Sequence, residues 1–164
     1  MVDRVFNVLF LCTHNSARSV LAERCIEAVG GGRFKGFSAG STPSGRINPM
    51  ALALLAELGI ATDGLRSKSW DDFARPGAPR MDFIFTVCDD AAGEVCPVWP
   101  GLPITAHWGM PDPSAGPGTD VEKMLAFRQT WAALDRRLRA FAALPLAALD
   151  QLTLTARLKE IGRQ

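Results

Sequence analysis

Residues 5–19 read VFNVLFLCTHNSARS, an apolar run that ends on Cys12-Thr13-His14-Asn15-Ser16-Ala17-Arg18-Ser19 and passes straight into a helical pattern. Residues 5–11 are short, apolar and partly β-branched or aromatic, the composition of a strand buried in a parallel sheet, with Asn7 as the one interruption. Over residues 16–29, Ala17, Val20, Leu21, Cys25, Ala28 and Val29 recur at helical spacing, and Gly30-Gly31-Gly32 stops the helix.

The alternation continues outward from there. Residues 34–39 form a second strand weakened by Gly36, and residues 47–58 a helix with Pro49 in its first turn and Gly59 beyond its end. Residues 70–74 make at most one helical turn. Residues 81–87 (MDFIFTV) are a strong strand, and residues 102–108 a weaker one opening on Pro103. Residues 119–144 form a long Arg-bearing helix that starts at a Thr119-Asp120-Val121-Glu122 cap, and residues 149–161 a last amphipathic helix. Four strands separated by helices predict an α/β fold with a mainly parallel open sheet. In such sheets ligands sit at the carboxyl ends of the strands.

The composition sets the outer bounds. The chain has 164 residues, a formal net charge of +1, 48% hydrophobic residues, four Cys, two His, four Trp and no Tyr. That length fits a single domain, residues 1–164, with a core of its own. The near-zero charge removes the electrostatic reason to expect a nucleic-acid or membrane-surface partner. No apolar run is long enough for a membrane helix, and the N-terminus has no signal-peptide cleavage pattern. A cytoplasmic protein is expected, with its cysteines as thiols, some of them reactive.

The Cys12 loop carries the chemistry. A thiol at the start of a helix meets the dipole and the open N–H groups that favour a thiolate. Small and polar residues at positions 13–17 let the loop curl with its amides inward, a nest for a tetrahedral oxyanion. Arg18 adds a bidentate grip, and Ser19 can donate a hydrogen bond to the sulfur. Thr13, His14, Asn15, Ser16, Ala17, Arg18 and Ser19 are therefore the candidate oxyanion-binding residues. The pattern is not a Walker loop, because G-x4-G-K-[ST] is absent, and Gly30 to Gly32 do not follow a strand as a dinucleotide motif requires. After the fourth strand, Asp112 stands between Pro111 and Pro113, which stiffen its loop. A carboxyl there can protonate a leaving oxygen.

Cys12 to Ser19 followed by Asp112-Pro113 resembles the low-molecular-weight protein tyrosine phosphatase family. Ser38-Ala39-Gly40, the stretch CDDAAGEVCP at residues 88–97 and residues 107–113 resemble its arsenate reductase branch. The resemblance covers roughly residues 5–144. It implies a three-layer sandwich with a four-stranded parallel sheet flanked by helices. It also implies that Cys12 is the nucleophile, that Arg18 and the loop bind arsenate or phosphate, that Asp112 is the general acid, and that no cofactor or metal is needed. It further implies a relay: Cys88 attacks Cys12, arsenite departs, and Cys96 attacks Cys88. Thioredoxin or glutathione/glutaredoxin then reduces the disulfide. The alternative within the family is a phosphatase acting on phosphotyrosine or a small phosphoester, and the absence of Tyr leans away from an aryl substrate.

The eight residue steps from Cys88 to Cys96 would span about 12 Å in intact helix, whereas disulfide Cα atoms lie about 5.5–6 Å apart. A helix at residues 91–95 would therefore have to unwind, and residues 89–99 are expected to be mobile. Cys25 lies on the apolar stripe of the first helix and is expected in the core. Trp70, Trp99 and Trp108 are candidates for the site rim, the core or a partner contact. Glu23 and Ser38 can form an oxygen-rich cation site with Asn15, although a solvated Glu23 is the simpler reading. Arg136, Arg137 and Arg139 read as a solvated helix face, and His107 as a structural residue at a strand end.

Overall fold

The computed structural model describes residues 4–88, 99, 101–115 and 117–163. Four strands, β1 (Phe6–Cys12), β2 (Phe34–Gly40), β3 (Phe83–Thr86) and β4 (Ile104–His107), form one sheet in the order β2-β1-β3-β4. Every pairing is parallel. Among the described residues the helices are α1 (Arg18–Gly30), α2 (Pro49–Glu57), α3 (Asp120–Ala142) and α4 (Gln151–Gly162), with a 3-10 turn at Trp70–Phe73. The expected four-stranded parallel architecture is present.

β1 is central, and its alternation sorts the core. Val8 and Phe10 face the larger core, built with Leu21, Cys25 and Ile26 of α1, Leu54 and Leu55 of α2, and apolar side chains of α3 and α4. Leu9 and Leu11 face the opposite side, where Ala39, Trp70, Phe73, Met81 and Ile84 close a smaller core. Both sets are buried, so β1 reads as a continuous apolar run. Asn7 sits at its margin, where its side chain donates to the Arg80 carbonyl and its N–H to Asp82.

Gly36, which weakens the strand pattern of β2, is required by packing: a Cβ there would fall on the Glu23 carbonyl of α1. The glycine lets helix and sheet approach closely. The cap of α3 forms as read, with Thr119 and Glu122 bonding reciprocally.

Arg137 departs from the expectation of a solvated face. It is buried on the same side of α3 as Leu134, Leu138 and Phe141, with its guanidinium directed at the Trp108 carbonyl, whereas Arg136 and Arg139 are exposed. Its aliphatic stem packs while its head finds a backbone oxygen, which charge patterning alone does not reveal.

Candidate active site

The site lies at the carboxyl ends of β1 and β4. β1 ends on Cys12 and α1 begins at Arg18, so residues 13–17 make the connection. Asn15 holds φ at +48°, the left-handed region that Asn tolerates better than most residues. Cys12 pairs with Gly40 across the sheet. A Cβ on Gly40 would stand 2.5 Å from the Thr13 carbonyl oxygen, so this glycine makes room for the loop.

The chain after β2 then fixes the orientation of the loop. The N–H groups of Thr42, Ser44 and Asn48 donate to the carbonyls of Thr13, His14 and Ser16 at 2.9, 3.0 and 2.9 Å. Ser67 Oγ adds a second bond to the His14 carbonyl at 3.0 Å. These carbonyls are thereby occupied from outside the loop. α1 itself starts with no capping side chain and no acidic residue in its first turn. Its N-terminal partial charge is left for an anion, which would take the place of a cap.

A cavity of about 210 Å³ opens there, walled by Cys12, His14, Ser16, Ala17, Arg18, Ser44, Asp112 and Ser114. Arg18 spans from the Cys12 loop to the late loop. It donates to the Met110 carbonyl at 3.0 Å, and its other terminal nitrogen is 3.7 Å from Asp112 Oδ2. Asp112 Oδ1 accepts from the backbone N–H and the hydroxyl of Ser114 at 2.9 and 2.7 Å. This Asx turn, with Pro113 buried behind it, fixes the carboxyl at the cavity wall.

Thr13, Asn15 and Ser19 stand behind the wall rather than on it. Ser19 Oγ lies 2.9 Å from Cys12 Sγ and also 2.9 Å from Asn15 Nδ2. Asn15 Oδ1 accepts the Lys68 backbone N–H at 2.9 Å. A backbone N–H can only donate, which sets the amide so that its NH2 donates to Ser19. With one lone pair on that amide, the hydroxyl keeps its own proton to donate to Cys12 Sγ when the sulfur is an anion.

Cys88 follows β3 and is buried, with its sulfur 3.3 Å from the Thr13 backbone nitrogen and 3.6 Å from Thr13 Oγ1. A second thiol thus touches the residue next to Cys12. Cys96 lies outside the described residues, as do the possible helix at 91–95 and all of the segment 89–99 except Trp99. Cys25 is fully buried in the core, where burial first and Asp135 second push its thiol up to about 12.

Glu23 is not solvated. Ser38 Oγ donates to Glu23 Oε1 at 2.7 Å, and the Lys68 ammonium lies 3.9 Å from the same oxygen and 3.4 Å from Ser38 Oγ. An ammonium therefore stands where the sequence raised a cation site. Trp108 is a core residue, with its ring 4.2 Å from Phe85 and its N–H on the Leu158 carbonyl. Trp70 and Trp99 meet edge to face on the smaller core. None of the three lines the cavity. His107 Nδ1 is 2.7 Å from Thr86 Oγ1, linking β4 to β3.

Ser44, Ser67, Lys68 and Ser114 contribute to the site without any signal in the sequence. They lie in irregular segments, and what they touch is remote along the chain.

A strand-end cysteine, a helix-start arginine and a loop carboxylate around one small cavity define a class: α/β proteins that present a thiol to a small oxyanion. The chain belongs to the low molecular weight phosphotyrosine protein phosphatase family, whose profile matches residues 7–153. It is 36% identical to the arsenate reductase of Bacillus subtilis over 135 residues, 82% of this chain and 94% of that protein. It is 34% identical to the arsenate reductase of Halalkalibacterium halodurans over the same shares. The solved thioredoxin-dependent arsenate reductase of Corynebacterium glutamicum superposes with a TM-score of 0.62 at 26% identity, over 86% of this chain and 62% of that one.

Proposed function

We propose that the protein is a cytoplasmic arsenate reductase in which Cys12, Cys88 and Cys96 pass oxidation from arsenate to an external dithiol. Arsenate enters the cavity, where Arg18 and the N-terminus of α1 take its charge. The Cys12 thiolate bonds to arsenic(V), and Asp112 gives a proton to the oxygen that leaves as water. The Cys88 thiolate then attacks Cys12 sulfur. The electron pair of the S–As bond goes to arsenic, which departs as arsenite, and a Cys12–Cys88 disulfide remains. Cys96 thiolate attacks Cys88 sulfur and frees Cys12 as a thiolate. Thioredoxin reduces the Cys88–Cys96 disulfide and is itself oxidised. A glutathione/glutaredoxin system is the other reductant of suitable chemistry.

The observation that carries this reading over a phosphatase is the buried Cys88 sulfur against Thr13. Phosphoester hydrolysis needs one thiol, whereas the two-electron reduction needs a second beside the first. The cavity wall supports the same choice: among the described residues it holds no Phe or Trp to receive an aryl group. Both relatives compared over 94% of their length are arsenate reductases, and the solved neighbour is a thioredoxin-dependent one.

The test is arsenate reduction coupled to thioredoxin, and separately to glutathione/glutaredoxin, beside aryl-phosphate hydrolysis. Wild type, Cys12→Ser, Cys88→Ser and Cys96→Ser are compared. Loss of reduction in all three variants, with hydrolysis lost only in Cys12→Ser, is expected. Wild-type reduction by both Cys88→Ser and Cys96→Ser with thioredoxin would overturn the relay.

A further inference from the structure

A buried ion pair sits behind the cavity, and the reaction above makes no use of it. Glu23 is on α1, Ser38 on β2, and Lys68 on the irregular chain before the 3-10 turn. The Glu23 and Lys68 side chains are only 10% and 11% exposed. Burial raises the Glu23 carboxyl and lowers the Lys68 ammonium relative to their ordinary values, the penalty that burial imposes on each charge. Their separation of 3.9 Å is long for a stabilising bond. Replacing such a pair with apolar residues is often neutral or favourable, so the pair is weak support for stability and invites another explanation.

That explanation is in the backbone of the same lysine. Lys68 N–H donates to Asn15 Oδ1 at 2.9 Å, and its carbonyl accepts the Gly40 N–H at 2.9 Å. Its ammonium donates to the Arg66 carbonyl at 2.9 Å while reaching Ser38 and Glu23. One residue thus joins α1, β2 and the Cys12 loop. From Asn15 the chain runs through Ser19 Oγ to Cys12 Sγ, each link 2.9 Å. Arg24 also approaches Glu23, at 3.8 Å, but its two terminal nitrogens are held by Glu27 and by the Asp63 carbonyl.

We propose that Lys68 is a positioning residue for Cys12: its ammonium, held by the Arg66 carbonyl beside Ser38 and Glu23 as a tethered internal cation, keeps its backbone N–H on Asn15 and so leaves the Ser19 proton to the sulfur. The side chain places a positive charge against the Glu23 carboxyl and the Ser38 hydroxyl from within the chain. Removing the ammonium leaves Glu23 and Ser38 without it, releases the backbone at residue 68, and lets the Asn15 amide turn. The proposal rests on Cys12 being the nucleophile and not on which oxyanion it takes.

The test measures the rate of Cys12 alkylation by iodoacetamide at one fixed pH, read by mass spectrometry, which needs no oxyanion substrate. Wild type, Lys68→Met, Lys68→Ala and Glu23→Gln are compared, with the melting temperature of each recorded. Arsenate turnover is measured in parallel. Lys68→Met is expected to melt as a folded protein and to slow Cys12 alkylation about tenfold, less than the roughly hundredfold that a 1 Å misplacement of reacting groups can cost. The same variant is expected to lower kcat more than it raises KM. Ammonium chloride should restore much of the rate in Lys68→Ala, where the side-chain space is open, and tetramethylammonium chloride should not. Wild type should respond to neither salt.

Alkylation and kcat unchanged in folded Lys68→Met would overturn the proposal. So would losses that follow melting temperature alone and no rescue by ammonium. Lys68→Ala and Lys68→Met both failing to fold would also overturn it, by making the pair structural. If wild-type Cys12 reacts no faster than the unfolded chain, the assignment of the nucleophile itself falls. If wild type reacts fast and fails only to reduce arsenate, the substrate assignment falls and the role of Lys68 stands.

Discussion

Cys88 Sγ lies 3.3 Å from the Thr13 backbone nitrogen, across 75 positions of sequence. The amide beside the proposed nucleophile thus points at a second sulfur and is turned away from the cavity. A thiolate formed at Cys88 during turnover would be received by that N–H. Cys88→Ser is expected to lower thioredoxin-coupled arsenate turnover by about 100-fold or more while leaving the first, single-turnover attack by Cys12 intact. Rapid quench followed by mass spectrometry distinguishes the two steps. Full multiple turnover in this variant would remove Cys88 from the reaction.

Gly40 meets the Cys12 loop backbone so closely that a methyl group has no flexible neighbour to displace. Gly40→Ala should destabilise the fold by about 1–3 kcal/mol, the usual cost of overpacking. It should also slow Cys12 alkylation, because the strain falls on the Thr13 and Cys12 carbonyls. Thermal unfolding and the alkylation rate together check this. A variant as stable and as reactive as wild type would show that the loop has room to move.

Trp108 is buried in the larger core, with its indole N–H on the Leu158 carbonyl, and does not line the cavity. Trp108→Phe keeps most of the apolar packing but leaves the buried Leu158 carbonyl without its indole donor. The expected cost is about 1–3 kcal/mol of stability, with KM for arsenate unchanged. A shift in KM at constant stability would instead place the indole in substrate binding.

Cys25 has its thiol pushed up to about 12 by burial, from an ordinary value of 9.0. Because the unfolded thiol ionises first, the stability that the buried neutral thiol contributes is complete below pH 9 and is lost as pH rises toward 12. Cys25→Ala should flatten the alkaline limb of the stability curve. In native wild type at pH 8, iodoacetamide should leave Cys25 unmodified. Rapid native labelling of Cys25 would contradict its burial.

Local features made much of the site legible. Cys12, Arg18 and the helix start lie within one strand–loop–helix passage, so their proximity follows from chain connectivity alone. Asp112 was legible through its flanking prolines, and Cys25 through helical periodicity. Arg137 misled because a guanidinium can bury its stem and still reach a backbone oxygen. Glu23 misled because its partners, Ser38 and Lys68, come from β2 and from an irregular segment that no periodicity marks. Gly36 read as a flaw in β2 because the helix that needs its missing Cβ is an element away.

The sequence by itself determined that strands alternate with helices, that a thiol ends the first strand, and that an arginine opens the first helix. These are short-range facts of hydrophobic period, chain stiffness and the helix terminus. Tertiary structure alone decided which distant groups share the cavity. Parallel strands in the order β2-β1-β3-β4 bring their carboxyl ends to one edge, so Gly40, Cys88 and the Asp112 loop converge on Cys12. That order sets β1 between β2 and β3, with both of its faces buried. It is a property of the whole core, which no single stretch of the chain encodes.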